Sequence, residues 1–380
     1  MLVALFAMVT GVLGDHSAAY DAALPALKSQ IESEWCARVY EPFFNGSYSA
    51  LNVNAICDHA KLEATGLVMR GKSGFLPELL RMWRTLIPFT LDAIRSAAHV
   101  PAHWKHERGH AELDVQIYTF GVWFGNSLYY FRKQYPNAVL RNFDSFLGLP
   151  PEQSGQVQRS NWKAGAFGAS SGLTKPNAVM ARLYDDLGGE AKKSITVRGF
   201  YNETLTAELA ATMAADGPAT IVDVDSDIYI SAVQALDWLF ANRLVRVGTL
   251  ITYDDFMDYA CTRKIESGHL VIPDVFEAGE PKAHREISQK YAVDFRCVAG
   301  ACAAPSQRAC DIHAAPFGAI FVVANIGGTA NDGFEMDKAQ FEMYARRNSW
   351  CSHLRRRHRT WVPTADGTAK KTGGQVGSAQ

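Results

Sequence analysis

Two textures of hydrophobic and polar positions divide the chain. Over residues 24–40 and 76–97 apolar side chains recur at helical spacing, which predicts helices and makes 15–110 a helical N-terminal cap. From residue 115 the pattern changes to short β-rich runs at 115–122, 138–143, 194–200, 219–224, 249–253, 293–298 and 319–326. Amphipathic stretches at 177–187, 205–215 and 230–242 separate several of them. Strands alternating with helices predict a mostly parallel sheet covered on both faces, and the nearly all-apolar runs suit its centre. In such α/β folds ligands bind beyond the carboxyl ends of the strands, near the point where strand order reverses. Past Trp361 the chain turns to Gly, Ser, Thr, Lys and Gln, so 351–380 is expected to be a basic, then disordered, tail.

Composition narrows the function classes. The 380 residues are 48% hydrophobic and 20% charged, an ordinary globular balance, and a formal net charge of −1 speaks against a nucleic-acid partner. The HLRRRH stretch from His353 to His358 reads as a solvated charged tail. Residues 1–14 form a signal-like apolar segment that is short for a membrane span and lacks a basic start, so no integral span is expected. Two sequons, at Asn45 and Asn202, leave the cytoplasm and the secretory lumen both open. Of the 7 cysteines, Cys297, Cys302 and Cys310 lie close enough for two to bridge under oxidising conditions.

Candidate chemistry collects at the strand ends. The first run closes in FGVWFGNSL, where Gly121 and Gly125 allow a tight turn before a helix whose first amides could meet an anion. The same turn also occurs in folds with no cofactor. Asp144 ends the second run about twenty positions later, where a carboxylate either holds a ribose diol or caps a surface turn. The fourth and fifth runs end in DVDSD and TYDDF, bringing Asp225, Asp227, Asp254 and Asp255 to one rim. Crowded carboxylates call for a positive partner, for which a hard divalent cation such as magnesium is the natural choice, or else they are turn residues pointing into water. Asp223, deeper in its strand, is not expected to reach a ligand.

The segments FGVWFGNSL, NFDSFLGLPPE, WKAGAF, VRGFYNETL, DVDSDIYISAVQALDWL, ITYDDF and GEPKAHREI follow one another in an order that resembles the macrocin-type sugar O-methyltransferases. The resemblance spans about residues 115–326. It implies an α/β, Rossmann-like class I methyltransferase with a seven-stranded, mostly parallel sheet over 111–350, using S-adenosyl-L-methionine and Mg2+. Carried across by motif, Gly121, Gly125, Ser127, Asp144 and Ser145 would bind the donor. Asp225, Asp254 and Asp255 would hold the metal, and Asp227 would be the general base. The acceptor would be a small molecule with a hydroxyl on a sugar or vicinal diol, and a homo-oligomer is compatible with the sequence. The family usually has Glu where this chain has Thr119. Two alternatives follow: a metal-dependent glycosyltransferase using a DxD site, and a homologue that binds the donor without turnover.

Overall fold

The computed structural model describes residues 16–35, 87–88, 90–94, 115–123, 125–152, 162–168, 176–188, 193–256, 264–266, 269–271, 276, 278–300 and 318–334. The apolar segment at 1–14, most of the cap, the tail, Cys302 and Cys310 lie outside them. Helix α1 (His16–Trp35) is followed in the α/β region by β1 (Gln116–Phe120), α2 (Asn126–Gln134), β2 (Val139–Asp144), α3 (Pro176–Asp186) and β3 (Ser194–Arg198). Then come α4 (Tyr201–Thr204), α5 (Ala207–Ala214), β4 (Ile221–Val224), α6 (Tyr229–Ala241) and β5 (Leu250–Tyr253). The chain continues through a small hairpin, β6 (Lys264–Glu266) and β7 (His269–Val271), to α7 (Gly279–Tyr291), β8 (Val293–Gly300) and β9 (Ala319–Ile326).

Seven strands form one sheet in the order β3-β2-β1-β4-β5-β9-β8. The first five are parallel, and β9 runs antiparallel between β5 and β8. This is the seven-stranded, mostly parallel, Rossmann-like α/β sheet expected from the sequence. Its chain order reverses between β1 and β4, and the carboxyl ends of strands at such a reversal are where α/β folds generally take a ligand.

The period-two alternation of each strand splits the core in two. One face carries Tyr118, Phe120, Phe143, Val224, Tyr253 and Phe321 against α5, α6 and α7. Phe120 and Phe143 stack there at 4.5 Å, with Trp238 edge-on to both. The other face carries Ile117, Leu140, Ile221 and Leu250 against α1, α2 and α3. On the far edge α1 is fastened by Asp21, which accepts a 2.8 Å bond from Arg296 of β8. Cys297, buried on β8, is held in a disulfide. Among the described residues no helix is long and apolar enough to cross a membrane.

Candidate functional site

Strand register brings the scattered motif residues together. Phe120 pairs with Phe143 and with Val224, which pairs with Tyr253. The next residue on each strand is therefore at one level: Gly121, Asp144, Asp225 and Asp254. The Gly121 amide reaches the Phe143 carbonyl at 2.9 Å, and the Asp225 amide reaches the Phe120 carbonyl at 2.8 Å, continuing the ladder past the strand ends.

Glycine is required at both turn positions. Gly121 has φ +96°, and a Cβ there would lie 1.7 Å from the Asp225 carbonyl oxygen. Gly125, φ +83°, caps α2, and a Cβ there would meet Leu183 at 2.1 Å. L-residues rarely adopt these conformations. Ser127 is buried in the first turn of α2.

Asp144 sits at the tip of β2 as expected, yet its oxygens are already engaged. Oδ2 accepts from the amides of Val122 (2.6 Å) and Trp123 (2.7 Å), and Oδ1 from Phe146 (2.6 Å). Of the roughly four acceptor directions a carboxylate offers, three are taken and one is left for a ligand. Burial pushes its pKa above the usual range, against the pull of those three amides, and the charge of Asp225 adds to the rise. Ser145 serves its own turn: its hydroxyl accepts from Leu147 N and donates to Gly148 O, both at 3.0 Å. Trp123 and Phe167, edge to face at 6.3 Å, stand beside this corner.

The opposite corner is acidic. Asp227 occupies the left-handed region at φ +60° in a tight turn, with the Ile228 amide bonded to the Ser226 carbonyl at 2.6 Å. Aspartate tolerates that conformation better than most residues. The turn aims its carboxyl at Asp255, close enough to hydrogen-bond. Burial lifts the Asp227 pKa well above the usual carboxylate range, and Asp255, Asp225 and Glu280 raise it further. One proton shared between facing carboxyls is the expected state of such a pair.

The expected magnesium ligands are not gathered into a ligand set. Asp225, Asp254 and Asp255 share the rim, but among the described residues no three His, Cys, Asp or Glu side chains converge as a metal site requires. The physical reason is local: Asp254 is buried, whereas Asp255 faces Asp227. Asp223 is wholly buried and accepts the Thr252 hydroxyl at 2.7 Å, as its depth suggested.

Two residues of this site were not singled out from the sequence. Glu280, fully buried at the start of α7, accepts from Ser226 N (3.4 Å) and Asp255 N (3.2 Å), joining the helix to both acidic turns. In the sequence it reads as an ordinary first-turn acid of a helix. Tyr201 donates its hydroxyl to the Phe143 carbonyl at 3.3 Å. Burial raises its pKa well above the ordinary value, as do the charges of Asp144, Asp225 and Asp227, which places that hydroxyl between the two corners. Behind the acids, Tyr253 donates to His284 Nδ1 (2.9 Å), whose Nε2–H donates to the Asp332 carbonyl (2.7 Å).

No family model matches the chain, and no curated protein sequence does either. Among solved structures it is similar to the calicheamicin methyltransferase CalS11, at 18% identity over 71% of this chain and 91% of that one, TM-score 0.42. It is also similar to the O-methyltransferase NovP, at 16% identity over 62% and 79%, TM-score 0.36. A third is cofactor-bound Rv0187 from MTB, at 14% identity over 75% and 96%, TM-score 0.34. At such identities and scores the likeness adds nothing to the site, whose chemistry rests on the residues described above.

Proposed function

We propose that this chain is an S-adenosylmethionine-dependent O-methyltransferase acting on a hydroxyl of a sugar or another small vicinal diol. One juxtaposition carries the reading: the glycine turn of β1, at the reversal of strand order, lies on the same rim as a proton-hungry carboxyl pair, Asp227 and Asp255. The first feature is a turn whose missing side chains let β1 close against β4 and α2 close against α3. The second is a base.

Methyl transfer asks for both. The donor's sulfonium methyl is already electrophilic, so the protein has to align an acceptor oxygen behind it and remove that oxygen's proton. The donor would lie over Gly121 and the start of α2, with the fourth acceptor direction of Asp144 available to a ribose hydroxyl. As the acceptor oxygen bonds to the methyl carbon, the carbon–sulfur bond breaks and its electron pair stays on sulfur, leaving S-adenosylhomocysteine. The acceptor proton passes to Asp227, whose raised pKa makes it a stronger base than an exposed carboxylate. The Tyr201 hydroxyl, bonded to the Phe143 carbonyl, stands between the two corners.

The oxygen chemistry of Asp225, Asp254 and Asp255 suits magnesium, but as placed they do not fit a metal, and no step is assigned to one. The glycosyltransferase alternative loses one of its two DxD pairs, because Asp223 is committed to Thr252 inside the sheet. Calorimetry and a labelled methyl-transfer assay test the reading. S-adenosylhomocysteine should bind, whether or not a nucleotide sugar also binds as an acceptor, and methyl label should reach diol-bearing sugars or catechols. Binding of the nucleotide sugar alone would overturn it, and donor binding without transfer to any diol would support the non-catalytic homologue. Loss of activity on chelation, restored by Mg2+, would show that the rim rearranges around a cation.

A further inference from the structure

Of the two sequons in the chain, the one at Asn45 lies outside the described residues. The other, Asn202-Glu203-Thr204, lies within α4, between the end of β3 and the start of α5. The proposed methyl transfer makes no use of it. A sequon is a common triplet, so its surroundings decide whether it carries meaning.

Three features of those surroundings agree. First, Asn202 and Glu203 are exposed, while Tyr201 and Thr204 on either side are half-buried, so there is room for a bulky group on the asparagine. Second, Cys297 is held in a disulfide although it is wholly buried on β8. A disulfide in that position forms as the chain folds, not by later oxidation of a surface thiol. It therefore belongs to a chain that folds in an oxidising compartment, which in the secretory pathway is also where N-linked glycans are added. Third, β3 is the last strand on its side of the sheet and shows solvent an apolar residue, Ile195, at 43% exposure. Exposed apolar edges invite pairing with other chains unless something covers or blunts them. Asn202 follows β3 by four residues, close enough for a hydrated glycan to stand at that edge.

The helix also fixes the order of events. A glycosyl-transferring enzyme reads the asparagine amide and the hydroxyl two residues later together. Within α4, residues i and i+2 do not face each other, and the Thr204 hydroxyl is bonded to the Phe200 carbonyl at 3.0 Å. The sequon is readable only before α4 forms.

We infer that Asn202 is an N-glycosylation site, modified before the chain folds in the secretory lumen, and that its glycan shields the edge of β3. The sugar donor is a polyprenyl-diphosphate-linked oligosaccharide. The Asn202 amide nitrogen bonds to the anomeric carbon and gives up one proton to a base of the transferase. The bond from that carbon to the diphosphate oxygen breaks, and its electron pair leaves with the diphosphate. None of this depends on the methyl-transfer reading.

The test translates the full chain carrying Asn45→Gln, which leaves one sequon, in the presence of endoplasmic-reticulum microsomes. Gel mobility before and after peptide N-glycosidase should show a single shift that the enzyme reverses. Asn202→Gln and Thr204→Val should lose the shift, and Thr204→Ser should keep it. The modification precedes folding, so a variant that folds poorly still reports. Protein folded first and then given to solubilised microsomes should stay unshifted. In cells, Cys297 of the denatured chain should resist alkylation until a reductant is added. Once secreted, Asn202→Gln should aggregate faster than the unsubstituted protein, and Ile195→Lys should remove the difference. Absence of a shift, a shift that survives Asn202→Gln, or a Cys297 that alkylates without reductant would each overturn the inference. Modification of the folded protein would overturn the order of events, and equal aggregation would overturn the shielding.

Discussion

Asp144 and Asp227 are both carboxyl groups at strand ends, both short of solvent, both with pKa values above the ordinary range, and they are held in opposite ways. Asp144 is surrounded by donors, three backbone amides within 2.7 Å, that offset much of its burial. Asp227 is surrounded by its own kind, with Asp255, Asp225 and Glu280 all raising its pKa. The first arrangement stabilises a fixed charge and fastens the glycine turn to β2. The second stores a demand for positive charge, which a proton, a cation or a cationic ligand can meet. One corner holds and the other reacts.

The sharpest way to break this contrast is at the reactive corner. Asp227→Asn should lower turnover by about 10²–10⁴, as for loss of a general base, with S-adenosylhomocysteine affinity nearly unchanged. Single-turnover kinetics beside calorimetry would read both, and a large loss of affinity would place Asp227 in donor binding instead. Asp144→Ala should do the reverse. It should weaken S-adenosylhomocysteine by about 1–3 kcal/mol and also lower the stability of the unliganded protein, because three amides lose their acceptor. Unchanged stability would show that the turn is held elsewhere.

The acidic corner can also be probed from behind, through His284. Burial lowers its pKa to about 4, while an unfolded histidine titrates near 6.5. Between those values the unfolded chain binds a proton that the folded chain refuses, so stability falls as pH drops through that window. From pH 7.5 to 5 this amounts to about 2 kcal/mol. Asp227 and Glu280 act with the opposite sign: raised carboxyl pKa values mean that acidification relieves their repulsion. Comparing wild type with His284→Gln by denaturant titration at both pH values separates the two, because only the histidine contribution should disappear in the variant. An identical acid response in both proteins would count against a buried neutral His284.

Much of this was legible in the chain. All seven strands of the main sheet coincide with runs read from apolar patterning, with ends shifted by up to two residues, because alternating and all-apolar β runs are local signals. Gly121, Asp144, Asp225 and Asp254 were legible as strand-end residues, and a parallel sheet then puts strand ends on one rim. What escaped was what depends on register or on a distant element. Thr119 stood out only as a departure from a family pattern and Asp223 only as a deep aspartate; pairing between β1 and β4 is what sets them side by side. Glu280 looked like a helix-start acid because nothing local says that α7 begins against two turns, 54 and 25 residues earlier in the chain. The ligand set expected of Asp225, Asp254 and Asp255 was a statement about side-chain direction, which spacing alone does not fix.

Glu280→Gln gives the smallest effect and the finest cut between the two corners. Glu280 accepts from two amides, as Asp144 does from three, yet it also stands among the acids that raise Asp227. It belongs to both descriptions. Replacing it with glutamine keeps one acceptor oxygen and points an amide donor at the other backbone N–H, which costs about one hydrogen bond. The same change removes a buried acid whose ionised form would repel Asp225 and Asp255, which offsets that cost. Stability should therefore shift by less than about 1 kcal/mol in either direction. Activity should respond in its pH dependence more than in its maximum. Without the charge of Glu280 the Asp227 pKa falls, so the acidic limb of the kcat profile, which requires the deprotonated base, moves to lower pH. A stability loss as large as that of Asp144→Ala, with an unmoved acidic limb, would show that Glu280 only holds and that its charge has no part in the chemistry.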